Sequence, residues 1–429
     1  MENLLMTNHK DNTGELPHGW EYVKLGDVCE KMSNGANVKQ FEEPIGFPIS
    51  RIETIWNETI DLNRVKYIYE NDPEFVKKYA LQPGDILFSH INSDSHLGKT
   101  AIFRKHSNSL IHGINLLLIR LDKLKVDPAF FQYQFNYKRK QGVFISIAQK
   151  AVNQSSINQP KLKNLDFVLP PLKTQKSIVS KIEELFSELD KGIESLKRAQ
   201  QQLKVYRQAV LKWAFDGRLT NENVKEGEMP EGWRTATIGE IGKVKGGKRL
   251  PKGHYYSEIP TKHVYIRVTD FDNQSINQSK LKFLYPSTQI AIKNYTISKE
   301  DVYISIAGTI GVTGIIPPSL DGANLTENAA KITELKGIEN KFLSLFLLSV
   351  KGQSQIKVNT KTTTQPKLSL FRIETIEIPI PKISEQIIIM QTIENRLSIS
   401  DKLEETINQS LQQAEVLRQS ILKMAFEGN

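Results

Sequence analysis

Between residues 174 and 215 the chain has no proline and one glycine, Gly192. Apolar side chains recur there at every seventh position: Ile182, Leu189, Leu196, Leu203 and Val210. A second stripe reads Ile178, Leu185, Gly192, Ala199, Tyr206 and Trp213. Two stripes with a seven-residue repeat predict one long helix with a coiled-coil seam. Pro170 and Pro171 block the helix before it starts, and Gly217 suits the left-handed position that ends it. About 42 residues rising 1.5 Å each make roughly 60 Å of helix. A second such segment runs from about 384 to 426, after Pro379 and Pro381. Its seam, Ile393, Leu403, Ile407, Ala414, Leu417, Ile421 and Met424, is interrupted by Arg396, Ser400 and Ser410. Elsewhere short alternating runs predict strands at 85–89, 116–121, 264–268 and 302–306, and helices at 128–137 and 340–350.

The pattern occurs twice. Leu16-Pro17-His18-Gly19-Trp20 returns as Met229-Pro230-Glu231-Gly232-Trp233, and Leu25-Gly26-Asp27-Val28 as Ile238-Gly239-Glu240-Ile241. The eleven residues Arg207 to Gly217 match Arg418 to Gly428 at seven positions. Between these markers Gly84-Asp85-Ile86-Leu87 faces Glu300-Asp301-Val302-Tyr303, and Gly98-Lys99-Thr100 faces Gly311-Val312-Thr313. Gln159-Pro160-Lys161-Leu162 is set against Gln365-Pro366-Lys367-Leu368. The expected fold is mixed α/β: two similar globular bodies separated by two long antiparallel coiled-coil helices, related by a pseudo-two-fold internal repeat. The expected boundaries are a tail at 1–15, body one at 16–172, the central helix at 173–217, a linker at 218–228, body two at 229–380 and the distal helix at 381–429. The alternative is that each helix packs only on its own body.

Composition narrows the function. Of 429 residues, 57 are Lys or Arg and 48 Asp or Glu, a net charge of +9. That excess, with a pI near 9.2, favours a polyanionic partner, nucleic acid before a membrane surface. A single cysteine, Cys29, excludes a disulfide framework and a cysteine-based zinc finger. No stretch has the length and apolarity of a signal peptide or membrane span, so an intracellular, cytoplasmic protein without a membrane partner is expected. Signs of catalysis are few. Ser93 stands where a phosphate-binding loop ending at Lys99-Thr100 needs its first glycine. Leu169-Pro170-Pro171-Leu172 is not the Asn-Pro-Pro-Tyr or Asp-Pro-Pro-Tyr of a base methyltransferase. His90, His96, His106 and His112 lack carboxylates at ligand spacing, so no metal site is expected.

Three kinds of segment are candidates for DNA binding. The basic stretch Lys243, Lys245, Lys248, Arg249, Lys252 surrounds Gly246-Gly247, with a milder form at Lys31, Gly35, Asn37 and Lys39. Lysines supply point charges and glycines let backbone approach phosphates. The alternative is a solvated loop. Polar, hydroxyl-rich segments precede each long helix: Lys150, Asn153, Ser155, Ser156 in one copy and Lys357, Asn359, Lys361, Thr362, Thr363 in the other. They suit base or phosphate contacts, or are plain linkers. The third is the turn holding Asn92, Ser93, Ser95, His96 and Lys99, opposite Gly308-Thr309-Ile310-Gly311. Arg51 and Arg267 lie in corresponding strands, where each either reads a guanine edge or pairs with a carboxylate.

The Pro-x-Gly-Trp opening, the Gly-Asp-Ile-Leu strand, the Gly-Thr-Ile-Gly turn, the Pro-Pro-Leu entry and the Ala-Phe-x-Gly helix end, in duplicate, resemble the specificity (S) subunits of type I restriction–modification systems. The resemblance runs from about Leu16 to Gly428, although copy one has His96-Leu97-Gly98 in place of the Gly-Thr-Ile-Gly turn. It implies that each body is a target recognition domain reading half of a bipartite site on double-stranded DNA. The helices would set the spacing and dock two modification (methyltransferase) subunits. A separate restriction (motor and nuclease) subunit would cleave. The chain itself would be non-catalytic and hold no cofactor; S-adenosylmethionine, ATP and Mg would belong to the partner subunits. The competing classes are a coiled-coil scaffold with two protein-binding heads and an unrecognised nuclease or methyltransferase.

Overall fold

The computed structural model describes residues 16–70, 72–104, 109–152, 154–221, 223–225, 227–360 and 366–427. The chain divides into two compact units. Unit one comprises residues 1–195 and 410–429, and unit two residues 196–409. Each unit therefore contains one body and part of each long helix.

The body of unit one is built on a four-stranded antiparallel sheet, ordered Cys29–Asn34, Leu117–Leu121, Ile86–Phe88, Thr100–Ile102. Unit two repeats that order with Lys243–Gly246, Ala329–Thr333, Val302–Ser305 and Thr313–Ile315. The central strands are continuous apolar runs because both faces are covered. Ile86, Leu87 and Phe88 are buried, as are Val302, Tyr303 and Ile304. One face packs on a helix, Pro128–Lys140 or Asn340–Leu348. Asp127 caps the first of these by accepting from the amides of Ala129 and Phe130. In each body the aspartate at the head of the central strand is buried and paired. Arg120 grips Asp85 with two 2.7 Å bonds, and Lys331 reaches Asp301 at 2.8 Å. The recurring aspartate is thus structural.

A two-stranded pair closes each body: Glu21–Lys24 with Asp166–Leu169, and Arg234–Thr237 with Glu377–Ile380. The chain then enters a long helix, Leu172–Phe215 or Ile383–Glu427. A buried glutamine fixes each helix start to the body. Gln175 Nε2 donates to Lys125 O and Pro170 O while Oε1 accepts from Asp127 N. Gln386 makes the same three bonds with Gly337, Pro381 and Glu339. Gly217 has φ +75°, and the Pro230 ring would meet any Cβ there.

The seam differs from the expected one by a single residue in both helices. The stripe Ile182, Leu189, Leu196, Leu203, Val210 is turned inward, with Ile182 and Val210 buried. Its companion is Phe186, Ile193, Gln200, Arg207 and Ala214, whereas Gly192, Tyr206 and Trp213 are exposed. In the distal helix Ile393, Ser400, Ile407, Ala414 and Ile421 are buried, and Leu397, Glu404, Leu411, Arg418 and Ala425 accompany them. Leu403 and Leu417, read as seam residues, are 49% and 50% exposed, and Met424 is exposed too. The physical reason is polar pairing. In unit two the Arg207 guanidinium forks to Glu404 (2.6 Å) and Asp401 (2.5 Å), and Gln200 Nε2 donates to Asn408 Oδ1 at 3.1 Å. Residue 200 meets 408 and residue 207 meets 401, so the helices there run antiparallel. In unit one Arg418, which matches Arg207 in the repeat, pairs with Asp190 and lies 4.4 Å from the Phe186 ring centroid.

One repeat register also changes. Ile157 N donates to His90 O, and Leu368 N donates to Ile306 O. The short helices Gln159–Lys163 and Leu370–Glu374 follow. Gln159-Pro160-Lys161-Leu162 therefore corresponds to Leu370-Phe371-Arg372-Ile373, and its identity with residues 365–368 is fortuitous.

Candidate nucleic-acid interface

In body one two segments that are distant in sequence form one surface. Ile91–Asn92 pairs with Ser155–Ser156, which pairs with Gln149–Lys150, in a three-stranded sheet. Asn92, Ser155, Ser156 and Lys150 are thereby neighbours. Asp94 holds the turn between them: Ser155 Oγ donates to Asp94 Oδ1 at 2.5 Å, and Lys150 Nζ lies 4.0 Å from its other oxygen. His96 Nδ1 lies 3.1 Å from Ser93 Oγ and 2.8 Å from Ser95 Oγ. Arg139, which sequence reasoning missed, braces the turn by donating to Leu97 O (3.1 Å) and Ser95 O (2.6 Å). Partial burial, with Lys99 and Arg139 nearby, moves the His96 imidazole below its usual range. Burial and Arg139 also lower Lys99. Asn153 lies outside the described residues, as does His106.

Lys31 donates to Lys78 O at 3.3 Å; Asn37 and Lys39 are exposed, and Lys39 Nζ stands 5.3 Å over the Phe41 ring. Gly35 approaches protein and not phosphate: a Cβ there would lie 2.3 Å from His112 O. Gly247, its counterpart, would meet Thr326 O at 2.0 Å. These two glycines are required by chain packing.

In body two distant acids occupy part of the basic stretch. Lys243 and Lys245 both pair with Glu334, at 2.5 and 2.8 Å, and hold its carboxyl down to about 2. Arg249 pairs with Glu327 at 2.6 Å. Lys248 Nζ stands 5.5 Å over the Tyr295 ring, and Lys252 is exposed. Sequence reasoning missed the tyrosines beside this stretch. Tyr255 is 75% exposed, and Lys282 stands 5.8 Å over Tyr256. The adjacent His254-Tyr255-Tyr256 was the available signal. Thr309 is exposed, and its carbonyl accepts from Ser305 Oγ at 2.6 Å. Lys357 is exposed; Asn359 O accepts from Arg372 at 2.8 Å. Lys361, Thr362 and Thr363 lie outside the described residues.

The two strand arginines are committed to carboxylates. Arg267 chelates Asp270 at 3.1 and 2.6 Å, and Arg51 pairs with Glu53 at 2.8 Å. Both guanidiniums keep 28% of their side-chain surface exposed. Burial pushes the Cys29 thiol up to about 12, which leaves it unreactive as a nucleophile. His112 is buried against Leu116 O and lowered to about 4 by desolvation. Among the described residues no group of three or more His, Cys, Asp or Glu could hold a metal ion, and no helix is long and apolar enough to cross a membrane.

Comparison with known proteins gives the same duplication. The family described as type I restriction modification DNA specificity domain matches twice, over residues 17–201 and 230–413. The protein named as the MjaX type I restriction enzyme specificity subunit of Methanocaldococcus jannaschii is 32% identical over 435 residues, covering 98% of this chain and 95% of that one. The EcoBI specificity subunit of Escherichia coli is 28% identical over 336 residues, covering 73% and 69%. Among solved structures, the HsdS subunit from Thermoanaerobacter tengcongensis superposes with a TM-score of 0.61 at 19% identity, covering 97% of this chain and 99% of that one. A chain from a study of complex assembly in a type I restriction–modification system superposes with a TM-score of 0.75 at 18% identity, covering 96% and 99%. These two show the fold. With both halves matched by the family and one relative aligned nearly end to end, the chain belongs to the type I restriction–modification DNA specificity family.

Proposed function

We propose that each body is a target recognition domain that reads one half of a bipartite site on double-stranded DNA, while the long helices set the unread gap and dock two modification subunits. The domains are taken as 16–172 and 229–380, with helices at 173–217 and 381–429 joined by the linker 218–228. The supporting observation is the duplication itself: one framework, with the same sheet order and the same buried Asp and Gln, carries two unlike polar faces. Unlike faces on like frames suit two different half-sites. The proposal extends to restriction subunits as further partners, to S-adenosylmethionine, ATP and Mg bound by partner subunits, and to the cytoplasm as location.

Co-expression with modification subunits, followed by mapping of methylated bases, tests this reading. A two-part motif with a fixed gap is expected. Methylation at a continuous motif, or none together with salt-insensitive DNA binding, would overturn it.

A further inference from the structure

One crevice differs in kind between the bodies. In body one it is an open pocket of about 530 Å³ lined by Asn34, His90, Ser156, Asn158, Gln159 and Lys163, among others. His90 is only 6% exposed, yet its Nδ1 has no hydrogen-bond partner. Burial lowers its basicity. Gln159 Nε2 donates to Asn34 Oδ1 at 3.2 Å, which leaves Gln159 Oε1 as an acceptor and Asn34 Nδ2 as a donor. An unpaired buried polar atom is costly unless a ligand or water meets it.

The corrected repeat register identifies the same crevice in body two. Gly246 pairs with Ala330 as Asn34 pairs with Leu117. Ile306 stands at His90 and Leu370 at Gln159. Ile306 is in the core, and Leu370 packs against it, within 3.6 Å of where a Gly246 Cβ would be. The crevice is an apolar contact in one body and an amide-lined pocket in the other. The framework therefore does not need the polar set; ordinary packing fills the space.

We propose that this pocket in body one binds an adenine of its half-site, with Gln159 and Asn34 on the base edge, His90 at the floor and Lys163 at the rim facing the phosphate. The proposal rests on the reading of the chain as a DNA-recognition subunit. Adenine is favoured because its edge offers a donor and an acceptor side by side, which a carboxamide matches bidentately. Guanine would call for an arginine, and none lines the pocket.

The test uses the complex with modification subunits and the duplex found by methylation mapping. Each adenine of that half-site, the methylated one excepted, is replaced by a purine lacking the 6-amino group. One position should weaken binding about tenfold. The His90→Ile and Gln159→Leu complexes, which carry body two's residues, should bind the normal duplex more weakly and ignore the replacement. Gln159 is partly exposed and outside the core, so that variant tests the idea even if His90→Ile unfolds. If no adenine is sensitive, or both folded variants keep the sensitivity, the proposal is wrong. Absence of duplex binding by the unmodified complex would instead sink the underlying DNA-recognition reading.

Discussion

Single residues decide how much charge the basic face offers. Glu334 pairs with both Lys243 and Lys245 and offsets one of their two charges, and those two lysines keep it ionised down to about 2. Its pKa is lowered, so the pairing is fully present above the ordinary carboxylate pKa and is lost as pH falls from there through about 2. Acidifying a binding assay to pH 5 will not release the lysines; substitution will. Glu334→Gln should strengthen non-specific DNA binding and steepen the fall of log affinity with log salt by up to about two, as two further phosphate contacts become available. An unchanged slope would show that these lysines face away from DNA. Asp85 is 1% exposed and shares both oxygens with Arg120. Asp85→Ala leaves a guanidinium half-buried and unpaired, so chemical unfolding of unit one should shift by about 3 kcal/mol.

At the scale of the element, the long helices show how a seven-residue repeat can be recognised while its seam is misplaced. The sequence carries leucines at 403 and 417, and the seam takes Glu404 and Arg418. A charged residue enters a seam when a partner across it completes the hydrogen bonds, as Asp190 does for Arg418 and Arg207 for Glu404. Leu403→Lys and Leu417→Lys should each leave stability unchanged within about 0.5 kcal/mol. Ile407→Ala, at a buried seam position, should cost about 2–3 kcal/mol. Thermal unfolding of the three variants separates the two seams. Equal losses at all three would restore the leucine seam.

For the whole molecule, the proposed function makes helix length a measuring device. Seven inserted residues add about 10 Å of helix, close to three base pairs. A heptad added to the central helix should lengthen the unread gap and leave both half-sites unchanged in a binding-site selection. Unchanged spacing would mean that the helices do not measure the gap. This prediction is independent of the adenine pocket, which concerns one half-site only.

The sequence by itself determined what is written in local or repeated patterns. The duplication was legible in Pro-x-Gly-Trp and Arg-Gln-x-x-Leu-Lys-x-Ala-Phe-x-Gly, because the entry strands and helix ends they form are used twice. The long helices were legible because heptads and proline stops act over one or two turns. Most predicted strands of the central sheets were legible as buried apolar runs. The tertiary structure decided what depends on partners far along the chain. Glu334 and Glu327 reach the basic stretch from across the sheet, and no local scan would pair them with it. Gly35 and Gly247, read as suited to phosphate, are glycines because the backbone of a distant segment presses on them. Asn34, His90 and Gln159 become one pocket only when the fold closes, and the same fold sets Leu370 beside Gly246 in the other body. Hydrophobic period is a property of neighbours in sequence; charge pairing and pocket chemistry are properties of neighbours in space.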